Sequence, residues 1–281
     1  MNADAPALFA RTRDEPRAVG AFNAILLEHA EAIVAGAEQA DLPVILQISQ
    51  NAIRYHGSLE PFAVACLRLA AGASVPVLVH LDHIEDRRLV DEGLALGIRS
   101  IMFDGAALSY EANVGRTREV TGKCHAAGCW VEAELGEIGG KDGAHAPGVR
   151  TDPAEAAGFV AATGVDSLAV AVGSSHAMAG RDAVLDDELI GALAEAVPVP
   201  LVLHGSSGVP DDGIRRAVAR GIAKVNIGTR LNQVLTGSVR ATLAERADLT
   251  DPRRYLAPGR DQVRDEVARL LCLLRGPRPG W

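Results

Sequence analysis

Lysine is scarce in this chain: Lys123, Lys141 and Lys224 are the three present among 281 residues. A mechanism that needs a Schiff-base lysine therefore has few candidates. Lys123 falls in a predicted helix and Lys224 enters the last predicted strand from its far end, which leaves Lys141, on a loop, in reach. Cysteine is almost as sparse. Cys66, Cys124, Cys129 and Cys272 form no CxxC pair and lack the density of a disulfide framework, so reduced, packed thiols in the cytoplasm are expected. A basic surplus is also missing, because 36 acidic residues against 28 Lys and Arg give a net charge of -8. Nucleic acid and anionic membrane surfaces both require a basic face that displaces counterions, so neither is an expected partner. Any anionic ligand must be held by a local arrangement.

Long apolar runs are absent as well. Val75 to Leu81, among the longest, contains Pro76 and His80 and falls far below the ~20 residues of a membrane helix. The opening Met1-Asn2-Ala3-Asp4, with Arg11, Arg13, Asp14 and Glu15 soon after, carries no secretory apolar stretch, so no export is expected. What is present is ordinary for a globular protein with a sizeable core: 48% hydrophobic and 23% charged residues.

Short runs rich in Val, Ile and Leu alternate with longer Ala-, Glu- and Arg-rich stretches of helical spacing, the pattern of repeated βαβ units. Strands are predicted near Ala18–Phe22, Pro43–Ile48, Val77–Leu81, Ser100–Phe103, Trp130–Glu134, Ser167–Val172, Leu201–Leu203 and Ala223–Ile227. Between them the spacing predicts helices over Leu27–Gln39, Pro61–Ala71, Asp86–Leu96, Asn113–Ala127, Pro153–Ala162, Asp187–Ala196 and Asp211–Arg220. The strand runs are apolar without clean alternation, as in a parallel sheet covered on both faces. Eight evenly spaced units without a GxGxxG opening turn favour closure into a (β/α)₈ TIM barrel over an open doubly wound sheet. The length agrees, since such a barrel takes about 250 residues. A single domain is expected, with its barrel over roughly residues 17–247 and a helical extension over roughly 251–275. Two amphipathic helices, Leu231–Arg246 and Gln262–Leu274, joined through Asp251-Pro252-Arg253, make up its end.

Three of the eight histidines sit where an apolar strand ends: His83 in Val-His-Leu-Asp-His, His176 in Ala-Val-Gly-Ser-Ser-His, and His204 in Leu-Val-Leu-His-Gly-Ser-Ser-Gly. In a barrel those ends converge on one face, and three neutral imidazoles with an open fourth position make a catalytic zinc site. His80 lies inside its strand as a supporting group, whereas His29, His56, His125 and His145 read as hydrogen-bonded structural residues. Carboxylates gather at the same end: Asp82 beside His83, Asp104 after the fourth strand, and Glu132, Glu134 and Glu137 around the end of the fifth. Such groups serve as metal shells or proton carriers. Glycine-rich turns, Gly205-Ser206-Ser207-Gly208 and Asn226-Ile227-Gly228-Thr229, follow strands seven and eight. Barrels commonly bind phosphate there through backbone N–H groups, although glycine is also what a tight turn needs.

In these motifs the chain resembles the class II, metal-dependent fructose- and tagatose-bisphosphate aldolases, from Val19-Gly20-Ala21-Phe22-Asn23 to Asp251-Pro252-Arg253. The matching segments are His80-Leu81-Asp82-His83, Val131-Glu132-Ala133-Glu134-Leu135-Gly136, Ser167 to Gly173, and Leu203 to Gly208. The resemblance implies that His83, His176 and His204 bind zinc, with Asp104 and Glu134 as auxiliary acids and room for a second divalent or a monovalent cation. It further implies that Asp82 exchanges a proton with the hydroxyl or aldehyde oxygen. Gly205, Ser207, Asn226 and Thr229 match the pocket for dihydroxyacetone phosphate, with Asn226 also facing the reacting carbons. Arg253 matches an arginine that reaches the distal phosphate from a neighbouring subunit, so a homodimer or homotetramer is implied. The family's proton-abstracting glutamate is replaced by Asp142 in Gly139-Gly140-Lys141-Asp142-Gly143, and Asp142 becomes the candidate base with Glu137 next. Substrate choice points to the stretch Gln47–His56, with Gln47, Ser49, Asn51 and Arg54, where a plain surface loop is the competing reading. A Schiff-base aldolase and a non-catalytic barrel that binds sugar phosphates are the two alternative functions.

Overall fold

The computed structural model of the chain describes residues 3–135, 150–174 and 181–276. Eight parallel strands close into a barrel: β1 Val19–Asn23, β2 Val44–Ser49, β3 Val77–Ile84, β4 Ser100–Phe103, β5 Trp130–Glu134, β6 Ser167–Ala169, β7 Leu201–Leu203 and β8 Ile222–Ile227. Each pairs with its neighbours in the chain, and β8 returns to β1 through Phe22↔Ile227. The helices are α1 Ala5–Asp14, α2 Leu27–Ala40, α3 Gln50–His56, α4 Glu60–Gly72, α5 Arg87–Ala95, α6 Tyr110–Ala126, α7 Pro153–Thr163, α8 Asp187–Ala196, α9 Asp211–Ala219, α10 Thr229–Glu245 and α11 Pro252–Leu274. No helix among the described residues is long and apolar enough to cross a membrane.

Alternation along the strands divides the barrel's interior from its helical coat. On β3, Val77, Val79 and Leu81 turn outward into the large core shared with the helices, while Leu78 belongs to the cluster inside the barrel. That inner cluster joins Val19, Ala21, Ile45, Leu78 and Ala223 to Ala5, Leu8 and Phe9 of α1, which thereby closes the lower end of the barrel. Phe9 stacks on Trp130 with ring centroids 5.0 Å apart, and the Trp130 Nε1–H donates to Ser167 Oγ at 2.9 Å. Several helices begin on a side-chain cap that satisfies an orphan N–H: Asp86 accepts from Arg88, Ser109 from Ala112, Asp152 from Ala154 and Glu155, and Asp186 from Leu189.

Besides α1, which the sequence reading did not include, four features depart from it. β6 ends at Ala169 rather than Val172, because Thr151 takes over both backbone groups of Ala171: its N–H donates to Ala171 O at 3.0 Å and its hydroxyl accepts from Ala171 N at 2.8 Å. The segment after β2 is a helix, not a loop, with Ser49 Oγ capping α3 by accepting from Ala52 N at 3.2 Å. α11 starts at Pro252 instead of Gln262 and runs through Pro258, with Asp251 accepting from Arg253 N at its start. It packs against α2 and α10, and Gly36 of α2 lets the two helices meet, since a Cβ there would lie 2.6 Å from Arg264 O. Finally, Lys224 does not sit at the far end of β8. It is mid-strand, 1% exposed, inside the barrel.

Candidate active site

The C-terminal ends of the strands, where barrel enzymes keep their chemistry, surround a cavity of about 280 Å³. Asn23 at the end of β1, Ser49 at the end of β2, Asp82 and His83 near the end of β3, and Asn226 near the end of β8 all line it. Gly205, Ser207, Gly228 and Thr229 supply the opposite wall, while Asn51 and Asn232 lie at the starts of α3 and α10.

His83 reaches the cavity by a backbone irregularity. Its φ of +51 is left-handed, and the β3–β4 register shifts between Leu81 and Ile84. For a non-glycine residue such a conformation costs of order 1–3 kcal/mol, and it persists only where surroundings impose it. One constraint is Asp104, whose Oδ2 lies 2.7 Å from His83 Nδ1. A carboxylate accepts, so Nδ1 carries the proton and the lone pair falls on Nε2. The Nε2 atom lies 4.0 Å from Asp82 Oδ1. Asp82 is itself oriented by Asn23, whose Nδ2 donates to Oδ2 at 2.7 Å, while Oδ1 is buried without a hydrogen-bond partner among the described residues. Gln47 Nε2 approaches Asn23 Oδ1 at 3.5 Å and so steadies this link.

His204, wholly buried just after β7, stands edge-on to His83 with ring centroids 4.8 Å apart. Its Nε2 lies 3.3 Å from Glu132 Oε1 and its Nδ1 lies 3.3 Å from Glu134 Oε2. Burial pushes the His204 imidazole down, but hydrogen bonds with Glu132 and then Glu134 outweigh it and lift the ring to about 9. Beneath it the Lys224 ammonium donates to Glu132 Oε2 at 2.7 Å, with both side chains 1% exposed. Burial alone would raise Glu132, yet Lys224 and His204 hold it well below the usual carboxylate range. Burial likewise opposes ionisation of Asp82, and His83, His204 and Lys224 together reverse that and lower it. His80 donates or accepts at Ser100 Oγ, 2.7 Å from Nδ1, and burial followed by the charge of Lys224 pushes it down to about 3. It supports the floor of the site as a neutral ring.

Among the described residues, two groups of atoms could hold a metal ion: Asp82, His83 and His204, and His83, Asp104 and Glu134, each with ligand atoms within 4.8 Å of one another. Mixed imidazole and carboxylate donors suit zinc and its first-row neighbours. The residues present therefore fit the ion that the sequence implies. On the far wall, Gly205 adopts a left-handed φ of +67 ahead of the 3₁₀ turn Ser206–Gly208. Ser206 Oγ donates to Asn226 O at 2.5 Å, and Ser207 Oγ accepts from Arg230 N at 3.2 Å. α10 opens beside them without a side-chain cap or an acidic residue in its first turn. A turn of this kind against a helix N-terminus is suited to an anion.

Of the sequence-predicted site residues, the fold thus brings Asp82, His83, Asp104, Glu134, His204, Gly205, Ser207, Asn226 and Thr229 to one end of the barrel. Arg253 is not among them: its guanidinium pairs with Asp251 at 2.7 Å, its side chain is 88% exposed, and it does not line the cavity. His176 and Asp142 lie outside the described residues, as do Glu137, Lys141 and His145. Ser174, two residues before His176, donates to His204 O at 2.6 Å. His29, His56 and His125 have the structural roles expected, on Leu26 N, Ile25 O and Asp166 Oδ2 respectively. Sequence reasoning overlooked Asn23 as a site residue, although its place at the end of a strand was a usable signal. It also overlooked the Lys224–Glu132 pair, which only the register of β8 against its neighbours reveals.

A family model for fructose-bisphosphate aldolase class-II matches residues 3–276. Among solved structures, the chain is similar to the YdjI aldolase from Escherichia coli K12, with 32% identity, a TM-score of 0.86, and 98% of this chain and 97% of that chain covered. A candidate fructose-1,6-biphosphate aldolase from Coccidioides immitis is similar at 31% identity and TM-score 0.84, with 96% of each chain covered. The fructose-bisphosphate aldolase of Campylobacter jejuni shares the fold at 22% identity and TM-score 0.81, over 98% of this chain and 95% of that one.

Proposed function

The chain belongs to the class II fructose-bisphosphate aldolase family of lyases, and from that premise we propose that it is a zinc-dependent ketose-bisphosphate aldolase. Its reaction is reversible cleavage of a ketose phosphate such as fructose or tagatose 1,6-bisphosphate into dihydroxyacetone phosphate and an aldehyde. The observation that carries the reading is the convergence of Asp82, His83 and His204 within 4.8 Å at the barrel mouth, beside a cavity whose other wall is the glycine- and serine-bearing turn after β7. His83, His204 and, from outside the described residues, His176 would hold the metal, with Asp104 and Glu134 orienting them. When bound, zinc supplies a Lewis acid that withdraws electrons from the ketone oxygen.

The chain's own residues do the rest. Asp82 takes the proton of the ketose hydroxyl in the cleavage direction and returns it in condensation. Asn23 fixes the carboxylate's angle by donating to Oδ2, leaving Oδ1 for the substrate. Gly205, Ser207, Thr229 and Asn226 seat the dihydroxyacetone phosphate portion, which orients the reacting carbons without entering the chemistry. Asp142, with Glu137 as the next choice, is proposed to move the carbon-bound proton of that portion. Arg253 is proposed to meet the distal phosphate of a neighbouring subunit's substrate in a homo-oligomer, for which it must leave Asp251. Lys224, already engaged by Glu132, is unsuited to forming an imine.

Stripping metal with a chelator should abolish cleavage, and zinc should restore it. Full turnover by protein that elemental analysis shows to be metal-free would end the zinc reading. A finer test concerns the contact that sets the His83 tautomer. Asp104→Asn should weaken metal binding by roughly 10–100-fold, the usual effect of removing a carboxylate behind a histidine ligand. Competition against a chromophoric chelator measures this, and unchanged affinity would mean that Asp104 does not orient a ligand.

A further inference from the structure

Beside Asp82 the barrel carries a further hydrogen-bond donor, Asn51. β2 pairs with β3 along all of its residues, and Ser49 is the direct register partner of Asp82. Whatever oxygen Asp82 serves therefore lies next to the end of β2. The chain turns there into α3, and Asn51, in the first turn of that helix, lines the cavity. The dihydroxyacetone phosphate wall, at Gly205, Ser207 and Thr229, is built instead by the chain after β7 and β8.

The carboxamide of Asn51 is fixed by Arg54, whose Nη1 donates to Asn51 Oδ1 at 3.1 Å. A guanidinium can only donate, so the oxygen of Asn51 is committed and its amino group is the part offered elsewhere. Arg54 is anchored in turn: its Nη2 donates to Glu85 Oε2 at 3.3 Å. Glu85 also accepts from Gln50 Nε2 at 3.2 Å. Gln50, 4% exposed, accepts through its own oxygen from Glu85 N and Asp86 N, both at 3.0 Å. The first turn of α3 is thereby stapled to the segment that leaves β3 just past His83.

We propose that Asn51 is a specificity-determining residue that donates from Nδ2 to a hydroxyl oxygen of the aldehyde half of the substrate, and that Arg54 is its positioning residue. The preferred aldehyde is then one hydroxylated on the carbon next to the carbonyl. This rests on the reading of Asp82 as the proton carrier for the aldehyde oxygen.

The test is condensation of dihydroxyacetone phosphate by the zinc-loaded protein with D-glyceraldehyde or with propionaldehyde, which lacks both hydroxyls. Solvent exchange of the carbon-bound proton of dihydroxyacetone phosphate, which involves no aldehyde, serves as the reference. Asn51→Ala should lower kcat/KM for glyceraldehyde about tenfold, the scale on which one hydrogen bond to a hydroxyl discriminates. Its rate with propionaldehyde and its exchange reaction should stay near wild type. Arg54→Met should give a loss in the same direction, and the double variant should be no worse than Asn51→Ala, as coupled residues require. Equal losses with both aldehydes, a fall in proton exchange, or additive effects of the two substitutions would overturn the assignment. A wild-type protein that neither exchanges nor condenses would overturn the aldolase reading itself, and this inference with it.

Discussion

Asp82→Asn should bind zinc like the wild type and lose carbon–carbon bond cleavage by roughly 10²–10⁴-fold, the range expected for removing a positioned proton carrier. The substitution keeps size and shape, so the 3% exposed site has no cavity to fill. What changes is the capacity of Oδ1, which is buried and without a hydrogen-bond partner among the described residues, to take a proton. An amide cannot do so near neutral pH. The same variant separates two roles that the geometry allows, because Asp82 also belongs to a possible metal-holding group with His83 and His204. Retained zinc with lost turnover assigns it to proton transfer. Zinc lost together with turnover would make it a ligand, and near wild-type turnover would remove it from the mechanism.

The second large effect is on stability. Lys224→Met should destabilise the protein by about 3–5 kcal/mol, the usual consequence of removing one member of a buried ion pair. The Glu132 carboxylate would remain 1% exposed with its 2.7 Å ammonium partner gone. Because its other oxygen meets His204, the disturbance would reach the site as well. A fall in Tm on the order of 10 °C is expected, measured on zinc-loaded protein to hold linkage constant. Lys224→Met combined with Glu132→Leu should recover much of that loss, since apolar groups of similar volume can replace a buried pair at little cost. An unchanged Tm in the single variant would mean that Glu132 finds other compensation. Borohydride treatment with substrate should leave the wild type active, in keeping with an amine already engaged.

All eight strands of the barrel were legible in the residues because Val-, Ile- and Leu-rich runs at regular spacing have few other structures open to them. The ends of elements were less so. Thr151 withdraws Ala171 from the ladder from eighteen residues upstream of Leu168's neighbour Ala169, and no local pattern announces such a contact. α1 offers no side-chain cap and α11 contains Pro258-Gly259, which reads as a break although Asp251-Pro252 marks a helix start. At the site, His83, His204, Asp82, Asp104 and Glu134 could be singled out because chemistry-bearing residues at strand ends converge in a barrel. Lys224 was misplaced because depth inside a barrel depends on the stagger between strands, which is a property of the closed sheet rather than of any one run. Asn23 was hidden by its ordinariness: a single asparagine after an apolar strand is also what a turn requires.

The left-handed backbone of His83 changes which way its side chain faces. Successive residues of a regular strand face opposite sides, so on β3 Leu78, His80 and Asp82 point into the barrel and His83 belongs by parity to the outer layer with Val79 and Leu81. The irregularity between Leu81 and Ile84 cancels that alternation at a single step and lets two consecutive side chains address the same space. Grafting this chemistry onto another eight-stranded frame would therefore mean importing a defect of the main chain along with the side chains. On a regular third strand the same Asp-His pair would be divided, one member at the mouth and the other wedged beneath the helical coat.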